Sequence, residues 1–194
     1  MSKKTILYLA RHGQTQWNTE HRIQGQFDSA LTAKGEQQAL HLASLCSTLN
    51  ISRILTSSLG RAIQTANICA QALQIEVNIV EGLKERHFGT WQGLLTPEVQ
   101  NHQDYLEITS QITDCKPEQG ESALQLLRRF QDTLKQQLQQ HPQETFLVVT
   151  HGDVLRCFMA QFSPKDALQT GYDYKNGHLI SIGYDFKNDI FFTL

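Results

Sequence analysis

The sequence predicts an α/β protein, a three-layer α/β/α sandwich whose mostly parallel sheet ends in a C-terminal antiparallel hairpin. Three observations carry this expectation. Two compact, almost wholly apolar runs rich in β-formers, "TILYLA" and "TFLVVT", have the pattern of strands covered on both faces. Between them, apolar residues recur at three- and four-residue spacing over helical lengths. Strand and helix patterns alternate, which implies parallel strands with helices packed on both sides.

The elements follow in order. "TILYLA" opens the sheet, and Ala39, Leu42, Ala43, Cys46 and Leu49 then mark the buried stripe of a helix. "RILTS" is a second, weaker strand, followed by a helix that buries Leu59, Ala62, Ile63, Ala66, Ala70 and Leu73. "EVNIV" is the third strand. Residues 92–120 resist the alternating scheme; they contain a helix start at Thr96 and Pro97 and weak periodicity, and are expected to form a cap-like excursion over a site. A long amphipathic helix spans roughly Glu121 to His141, with Leu127, Phe130, Leu134 and Leu138 as its stripe and Pro142 just beyond it. The "QQLQQHPQ" at its end reads as a solvated face. After "TFLVVT" a helix is expected around Val154 to Phe162, then a further helix start at "SPKD", with Ser163 as cap and Pro164 in its first turn. "HLISIGYDFKNDIFFTL" reads as a hairpin turning near Lys187 to Asp189. At 194 residues, one domain spanning 1–194 is expected, with the excursion at about 92–120.

Composition narrows the function classes. A net charge of -2 with interspersed signs offers no basic face for nucleic acid and no polybasic stretch for a membrane surface, so any anion site must be local. The apolar run after "MSKK" is too short for a signal peptide, and no segment approaches the roughly 20 apolar residues of a membrane span. Cys46, Cys69, Cys115 and Cys157 are far apart, form no C-x-x-C pair and read as small packing residues, which suits a reducing cytoplasm. No metal-ligand motif is evident, no cofactor is expected, and no feature specifies an oligomeric state.

In an open parallel sheet, ligands gather outside the carboxyl ends of the strands. Arg11 and His12 directly follow the first strand and His151 directly follows "TFLVVT". Arg61, in "SSLGRA", falls in the first turn of the helix after "RILTS", and Glu85, in "LKERHFGTWQG", comes soon after "EVNIV". Two imidazoles, two guanidiniums and a carboxylate are thus expected on one edge. Taken singly, each has a structural explanation; four strand ends converging in this way do not. The set suits phosphoryl transfer. A neutral imidazole can attack phosphorus, and neighbouring arginines disfavour its protonated form. Guanidiniums and a second imidazole can neutralise the equatorial oxygens. A carboxylic acid can protonate a departing alkoxide and later draw a proton from water. Burial should raise the pKa of Glu85 and the arginines should lower it, so the net direction is open.

These residues resemble the histidine phosphatase superfamily, in the branch that contains cofactor-dependent phosphoglycerate mutases and α-ribazole phosphatases. "LARHGQTQWN" is similar to its R-H-G-x-T start, and "RIQGQFDSALTAKGEQQA", "SSLGRAIQTA", "LKERHFGTWQG", "GES" and "VVTHGDVLR" match later motifs in order. The resemblance spans nearly the whole chain. It implies that His12 is the nucleophile, Glu85 the proton donor and later the base, and His151 a further catalytic group. It implies a phosphate pocket of Arg11, Arg61, Asn18, Thr15 and the backbone at Gly152, with Arg22, Gln24 and Gly25 as candidate substrate contacts. For Arg22 a loop-bracing salt bridge is an equal reading. Arg86 and His87 are expected to be either surface groups or substrate contacts, and Phe88 and Trp91 to be packing. His21, His41, His102, His141 and His178 match no motif and are expected to be solvent-facing or structural.

The resemblance also separates two activities. In the mutases the "ERHYG" run is followed by "LNK" and later by paired arginines that clamp the substrate carboxylate and second phosphate. Here Phe88 replaces that tyrosine, and Lys116 is the sole Lys or Arg between Gln92 and Glu121. A metal-independent phosphomonoesterase acting on a small phosphorylated metabolite through a phosphohistidine is therefore expected, with the mutase as alternative. "GTWQG" resembles the G-x-W-E-G of phosphatase branches but has Gln92 in place of the glutamate, so this motif does not select a subgroup. A third reading is a non-catalytic module that binds phosphoryl groups or docks phosphoproteins; such relatives would be expected to lack the nucleophile or an arginine.

Overall fold

The computed structural model describes residues 4–162 and 174–194. The helix start expected at Ser163 and Pro164 lies outside these residues. In chain order the described elements are β1 (Lys4–Arg11), α1 (Gln16–Thr19), α2 (Ala33–Cys46), β2 (Arg53–Thr56), α3 (Gly60–Leu73) and β3 (Val77–Ile79). Two single 3-10 turns follow, then α4 (Thr96–Val99), α5 (Tyr105–Ser110), α6 (Ala123–Gln140), β4 (Phe146–Thr150), α7 (Gly152–Met159), β5 (Leu179–Asp185) and β6 (Ile190–Thr193).

The six strands form one sheet in the order β3-β2-β4-β1-β5-β6. The first four in that order are mutually parallel, with Leu9 opposite Val148 and Leu55 opposite the same residue on the other side. β5 runs antiparallel to β1, and β6 antiparallel to β5. Strand alternation sends residues to opposite faces. Leu7, Leu9, Leu55, Phe146 and Val148 pack on one side beneath α6 and α7, against Leu126, Phe130, Leu134, Val154 and Phe158. Ala10, Ile54, Leu147 and Val149 pack on the other beneath α2 and α3, against Leu42, Cys46, Ala62, Ala66 and Cys69. All five residues of β4 are buried, as its unbroken apolar run requires. Each fully buried Leu or Phe contributes roughly 1.5–3 kcal/mol relative to exposure.

Helix limits follow their caps. α2 starts where Thr32 Oγ1 accepts from the Gly35 amide, and α6 starts with a reciprocal capping box between Ser122 and Gln125. α6 turns Leu126 rather than Leu127 fully inward; Leu127 lies at the edge of the stripe and packs against the same core. The glutamine-rich end of α6 remains helical to Gln140 because Leu138 reaches the core while its polar neighbours face outward. The C-terminal hairpin turns at residues 186–189, where Lys187 N donates to Asp185 Oδ1.

Residues 88–115 build a small core of their own. Ile23, Trp91, Val99 and Ile108 are buried together, with Phe88, Tyr105 and Cys115 packed around them. This mixed environment of two short helices and turns explains why the stretch has no single periodicity. Among the described residues, no helix is long and apolar enough to cross a membrane.

Candidate active site

Parallel pairing of β1 to β4 brings four carboxyl ends to one edge. His12 continues from β1 and its amide donates to Thr150 O at 3.0 Å, so the residues before His151 directly hold the backbone of His12. The two rings lie with centroids 5.2 Å apart and planes inclined at 59°. Both are buried.

The tautomer of His12 follows from its partners. Nδ1 lies 2.7 Å from Gly13 O, a group that only accepts, so the neutral ring carries its proton there. Nε2 therefore holds the lone pair, and Arg61 Nε donates to it at 3.2 Å. Burial holds the pKa of His12 well below the usual 6.5, and Arg61 and Arg11 push it further down. His151 is likewise depressed, by burial first and then by Arg61, His12 and Arg11. Both shifts favour the neutral ring, with desolvation contributing more than the arginines.

Gly13 is required by a close approach. A Cβ there would collide with Gly35 O, and one on Gly35 would collide with Gln14 O, so the loop after β1 lies directly against the first turn of α2. That loop then wraps beneath Arg61. Arg61 Nη1 donates to Phe27 O at 2.7 Å and to Asp28 Oδ1 at 3.0 Å, and Nη2 donates to Gly25 O at 2.7 Å. The Asp28 carboxylate also accepts from the Gly60 and Arg61 amides, supplying the cap that Leu59 cannot give α3. Asp28 was not legible as a site residue, since it acts across a separation of 33 positions.

Glu85 comes from the segment that follows β3. Its Oε1 accepts from the Arg86 amide at 2.9 Å and the Val154 amide at 3.2 Å, while Oε2 accepts from the Asp153 amide at 3.2 Å. The carboxyl thus sits on the first turn of α7. Its pKa is raised, by burial first and by the neighbouring Asp153 carboxylate second; the amide bonds and Arg61 oppose the rise without reversing it. The direction that sequence alone left open is upward.

One cavity joins these groups. Its lining includes Arg11, His12, Asn18, Arg61, Glu85 and Gly152 at the floor and Arg22, Ile23, Gln24, Gly25, Phe88, Thr96, Tyr105 and Thr109 on the walls. The His151 ring adjoins that of His12 without itself lining the cavity, and its Nε2 lies 2.7 Å from Ser57 Oγ. Arg11 reaches Tyr174 O through Nη1 at 2.5 Å. Asn18 is held by the Thr15 amide at 3.1 Å and by Asn176 Nδ2 at 3.3 Å.

Several sequence expectations change. Thr15 does not line the cavity: it is fully buried, and its hydroxyl caps α1 by accepting from the Asn18 amide, so it orients Asn18 rather than a ligand. Arg22 both braces a loop, through Glu20 at 3.0 Å and Gly93 O at 2.5 Å, and lines the cavity. Gln24 and Gly25 line the cavity, and Gly25 adopts φ 54, where a side chain would also collide with Gln92. Gln92 Oε1 accepts from the Gln26 amide at 2.7 Å, so this departure from the resembled motif holds the loop beneath Arg61.

Arg86 is neither a surface group nor a cavity group. It is fully buried and donates to Glu121 O at 2.8 Å, Ile108 O at 2.6 Å and Cys115 O at 3.1 Å, with Asp153 Oδ2 3.4 Å away. A planar donor with several N–H groups can satisfy inward-facing carbonyls of an irregular segment, which explains an arginine at this place. Trp91 is packing, as expected, whereas Phe88 also faces the cavity. Thr96, Tyr105 and Thr109 were missed because only the folded excursion turns them toward the floor. His102 rests edge-on against Trp91, 5.4 Å between centroids, while His21, His41 and His178 are exposed.

The arrangement joins a buried imidazole nitrogen with a free lone pair, two guanidiniums, a second imidazole and a carboxyl whose pKa is raised. This is the equipment for transferring a phosphoryl group to and from nitrogen. The sequence model of the histidine phosphatase superfamily (branch 1) matches residues 7–188. An Escherichia fergusonii protein named probable phosphoglycerate mutase GpmB is 40% identical over 158 residues, covering 79% of this chain and 73% of that one. The structure of Bacillus stearothermophilus YhfR superposes with a TM-score of 0.83 at 31% identity, covering 97% of this chain and 95% of that one. A candidate alpha-ribazole-5'-P phosphatase from Escherichia coli K-12 superposes with a TM-score of 0.79 at 26% identity, covering 98% and 95%.

Proposed function

Because the chain belongs to branch 1 of the histidine phosphatase superfamily, we propose that it is a metal-independent phosphomonoesterase that hydrolyses a small phosphorylated metabolite. In the first step the His12 Nε2 lone pair attacks phosphorus and the ester P–O bond breaks. Glu85, as the carboxylic acid, gives its proton to the departing alkoxide. Arg11, Arg61, Asn18 and the Gly152 backbone hold the equatorial oxygens, and the His12 Nδ1–H bond to Gly13 O supports the charge that develops on the ring. In the second step the Glu85 carboxylate takes a proton from water, the water oxygen attacks phosphorus, the P–N bond breaks and inorganic phosphate leaves. Arg61 Nε is already beside Nε2, so its N–H can turn to a phosphoryl oxygen as the lone pair moves to phosphorus.

The observation that favours hydrolysis over mutase chemistry is the lack of a second anion clamp among the described residues. Beyond Arg11 and Arg61, the one cation on the cavity lining is Arg22, already held by Glu20 and Gly93 O. Lys116 faces a different groove, with Gln26, His87, Gln119 and Gln125. Among the described residues, a phospho-acid with a carboxylate and a phosphate would find no further cation for its second charge. The second reading, a phosphoglycerate mutase, rests on the name of the 40% identical Escherichia fergusonii relative. The free, mostly buried thiols are consistent with a reducing compartment, and we place the protein in the cytoplasm.

A panel of phosphorylated metabolites and an aryl phosphate, run beside a bisphosphoglycerate-dependent mutase assay, tests the proposal. Phosphate release that exceeds isomerisation and disappears in His12→Ala supports it. Isomerisation exceeding release selects the mutase, and tight phosphate binding without turnover selects a binding module.

A further inference from the structure

The His151 ring lies 5.2 Å from that of His12, yet among the described residues its buried Nδ1 has no hydrogen-bond partner. Its Nε2 lies 2.7 Å from Ser57 Oγ, 94 positions away in the chain, and both residues are fully buried. Ser57 directly follows β2. Its hydroxyl oxygen accepts from the Leu59 amide at 3.2 Å, and its own amide donates to Val149 O at 3.1 Å.

A neutral imidazole has one N–H, so two arrangements are available. If Nε2 carried the proton it would donate to Ser57 Oγ, which would then accept twice while its own hydrogen found no acceptor among the described residues. Nδ1 would present a bare lone pair beside His12, where it would repel a phosphoryl oxygen. If Nδ1 carries the proton, the Ser57 hydroxyl donates to Nε2 and accepts from Leu59, and every Ser57 group is paired. The remaining N–H is then a donor with no partner among the described residues, buried beside the nucleophile. The penalty on unpaired buried polar groups favours this second arrangement.

We propose that Ser57 is a positioning residue that fixes His151 as the tautomer protonated on Nδ1, so that this N–H serves the phosphoryl group while His12, 5.2 Å away, keeps its own lone pair on Nε2. The two imidazoles are thereby set to opposite tasks by two neighbours: a carbonyl takes the Nδ1–H of His12, and a hydroxyl occupies the Nε2 of His151. The low pKa of His151, caused by burial and then by Arg61, His12 and Arg11, keeps the ring neutral and makes the tautomer consequential. The functional part of this inference rests on the proposed phosphoryl transfer; the tautomer does not.

Nitrogen-15 NMR of the full chain with labelled histidine reads the tautomer directly, with the His151 signals assigned by their loss in His151→Gln. The expected spectrum has a protonated Nδ1 and an unprotonated Nε2, and titration with inorganic phosphate shifts the Nδ1 proton. A protonated Nε2 in the wild type overturns the proposal, as does an Nδ1 proton that saturating phosphate leaves unmoved. Ser57→Ala is expected to mix the tautomers and lower kcat/KM for an aryl phosphate by about tenfold, and Ser57→Thr, which retains the hydroxyl, to recover most of that loss. Should Ser57→Ala not fold, the wild-type spectrum with and without phosphate decides alone. A wild-type protein that shows the Nδ1 proton but hydrolyses no monoester would refute the proposed phosphatase and leave the tautomer standing.

Discussion

The floor of the cavity and the wall above it solve the placement of side chains in different ways. On the floor, Arg11 and His12 are carried by the end of β1, and His151 adjoins them from the end of β4, the two strands paired in register over five residues, so the sheet itself sets their separation. On the wall, Phe88, Thr96, Tyr105 and Thr109 belong to short helices and turns whose backbone is gathered by one buried arginine, Arg86, through three carbonyls. The floor is rigid because the ladder hydrogen bonds between neighbouring strands are numerous and regularly spaced. The wall depends on a few long-range bonds and a four-residue core. Chemistry common to many phosphate esters belongs on the first, and discrimination among leaving groups on the second.

Substitutions sharpen that division. His12→Ala should lower hydrolysis of every substrate by about 10³-fold or more, since no other described group offers a nucleophilic nitrogen at that place. A residual rate within tenfold of wild type, in kinetics free of contaminating phosphatase, would remove His12 from the mechanism. Glu85→Gln should cost about 10²-fold on alkyl phosphates and less than about tenfold on aryl phosphates, whose leaving groups need little protonation. Equal losses on the two series would argue against the acid role.

On the wall side, Arg86→Met should destabilise the fold by about 3 kcal/mol, because it strands Ile108 O, Cys115 O and Glu121 O and weakens the charge balance of Asp153. For a chain of this length that is a fall of roughly 6–12 °C in Tm by thermal denaturation. An unchanged Tm would show that the excursion is held by other means. Phe88→Ala should raise KM for a bulky ester only a few-fold, about the value of one apolar contact, while competition by inorganic phosphate stays as in the wild type. A matching loss of phosphate affinity would place Phe88 with the floor.

The pH profile tests both groups that titrate there. His12 is neutral above its depressed pKa, so the rising limb of kcat/KM lies below pH 6.5, and acidification through that limb removes the nucleophile. Glu85 is the acid below its raised pKa, so raising the pH through a value above 4.5 deprotonates it and gives alkyl phosphates a falling limb. That falling limb should vanish in Glu85→Gln. A rising limb above pH 6.5 would contradict the burial of His12.

Much of the site was legible because strand ends are legible. An apolar run that stops at Arg11 and His12, and another that stops at His151, announce where a side chain leaves a sheet. The excursion was legible only as an exception: Thr96 and Pro97 marked a helix start, but nothing in its spacing showed that Tyr105 and Thr109 would face the cavity. Arg86 was misread because a charged residue next to a catalytic candidate looks like a contact or a surface group. Full burial of a guanidinium requires several acceptors, and those came from positions 108, 115, 121 and 153. Thr15 was misread for the opposite reason, since its hydroxyl was consumed by a local cap.

Local patterns by themselves determined the alternation of strands and helices, the parallel order that it implies, and the residues delivered to the carboxyl edge, because periodicity and chain stops are written in neighbouring residues. Tertiary structure alone decided which groups touch: Asp28 with Arg61, Gln92 with Gln26, Ser57 with His151, and the carboxyl of Glu85 with the first turn of α7. It also decided the upward pKa of Glu85, since desolvation depends on the depth of burial and on distant charges brought close. Proton positions and charge states follow from such contacts, and contacts between residues far apart in the chain exist only once the sheet has closed around them.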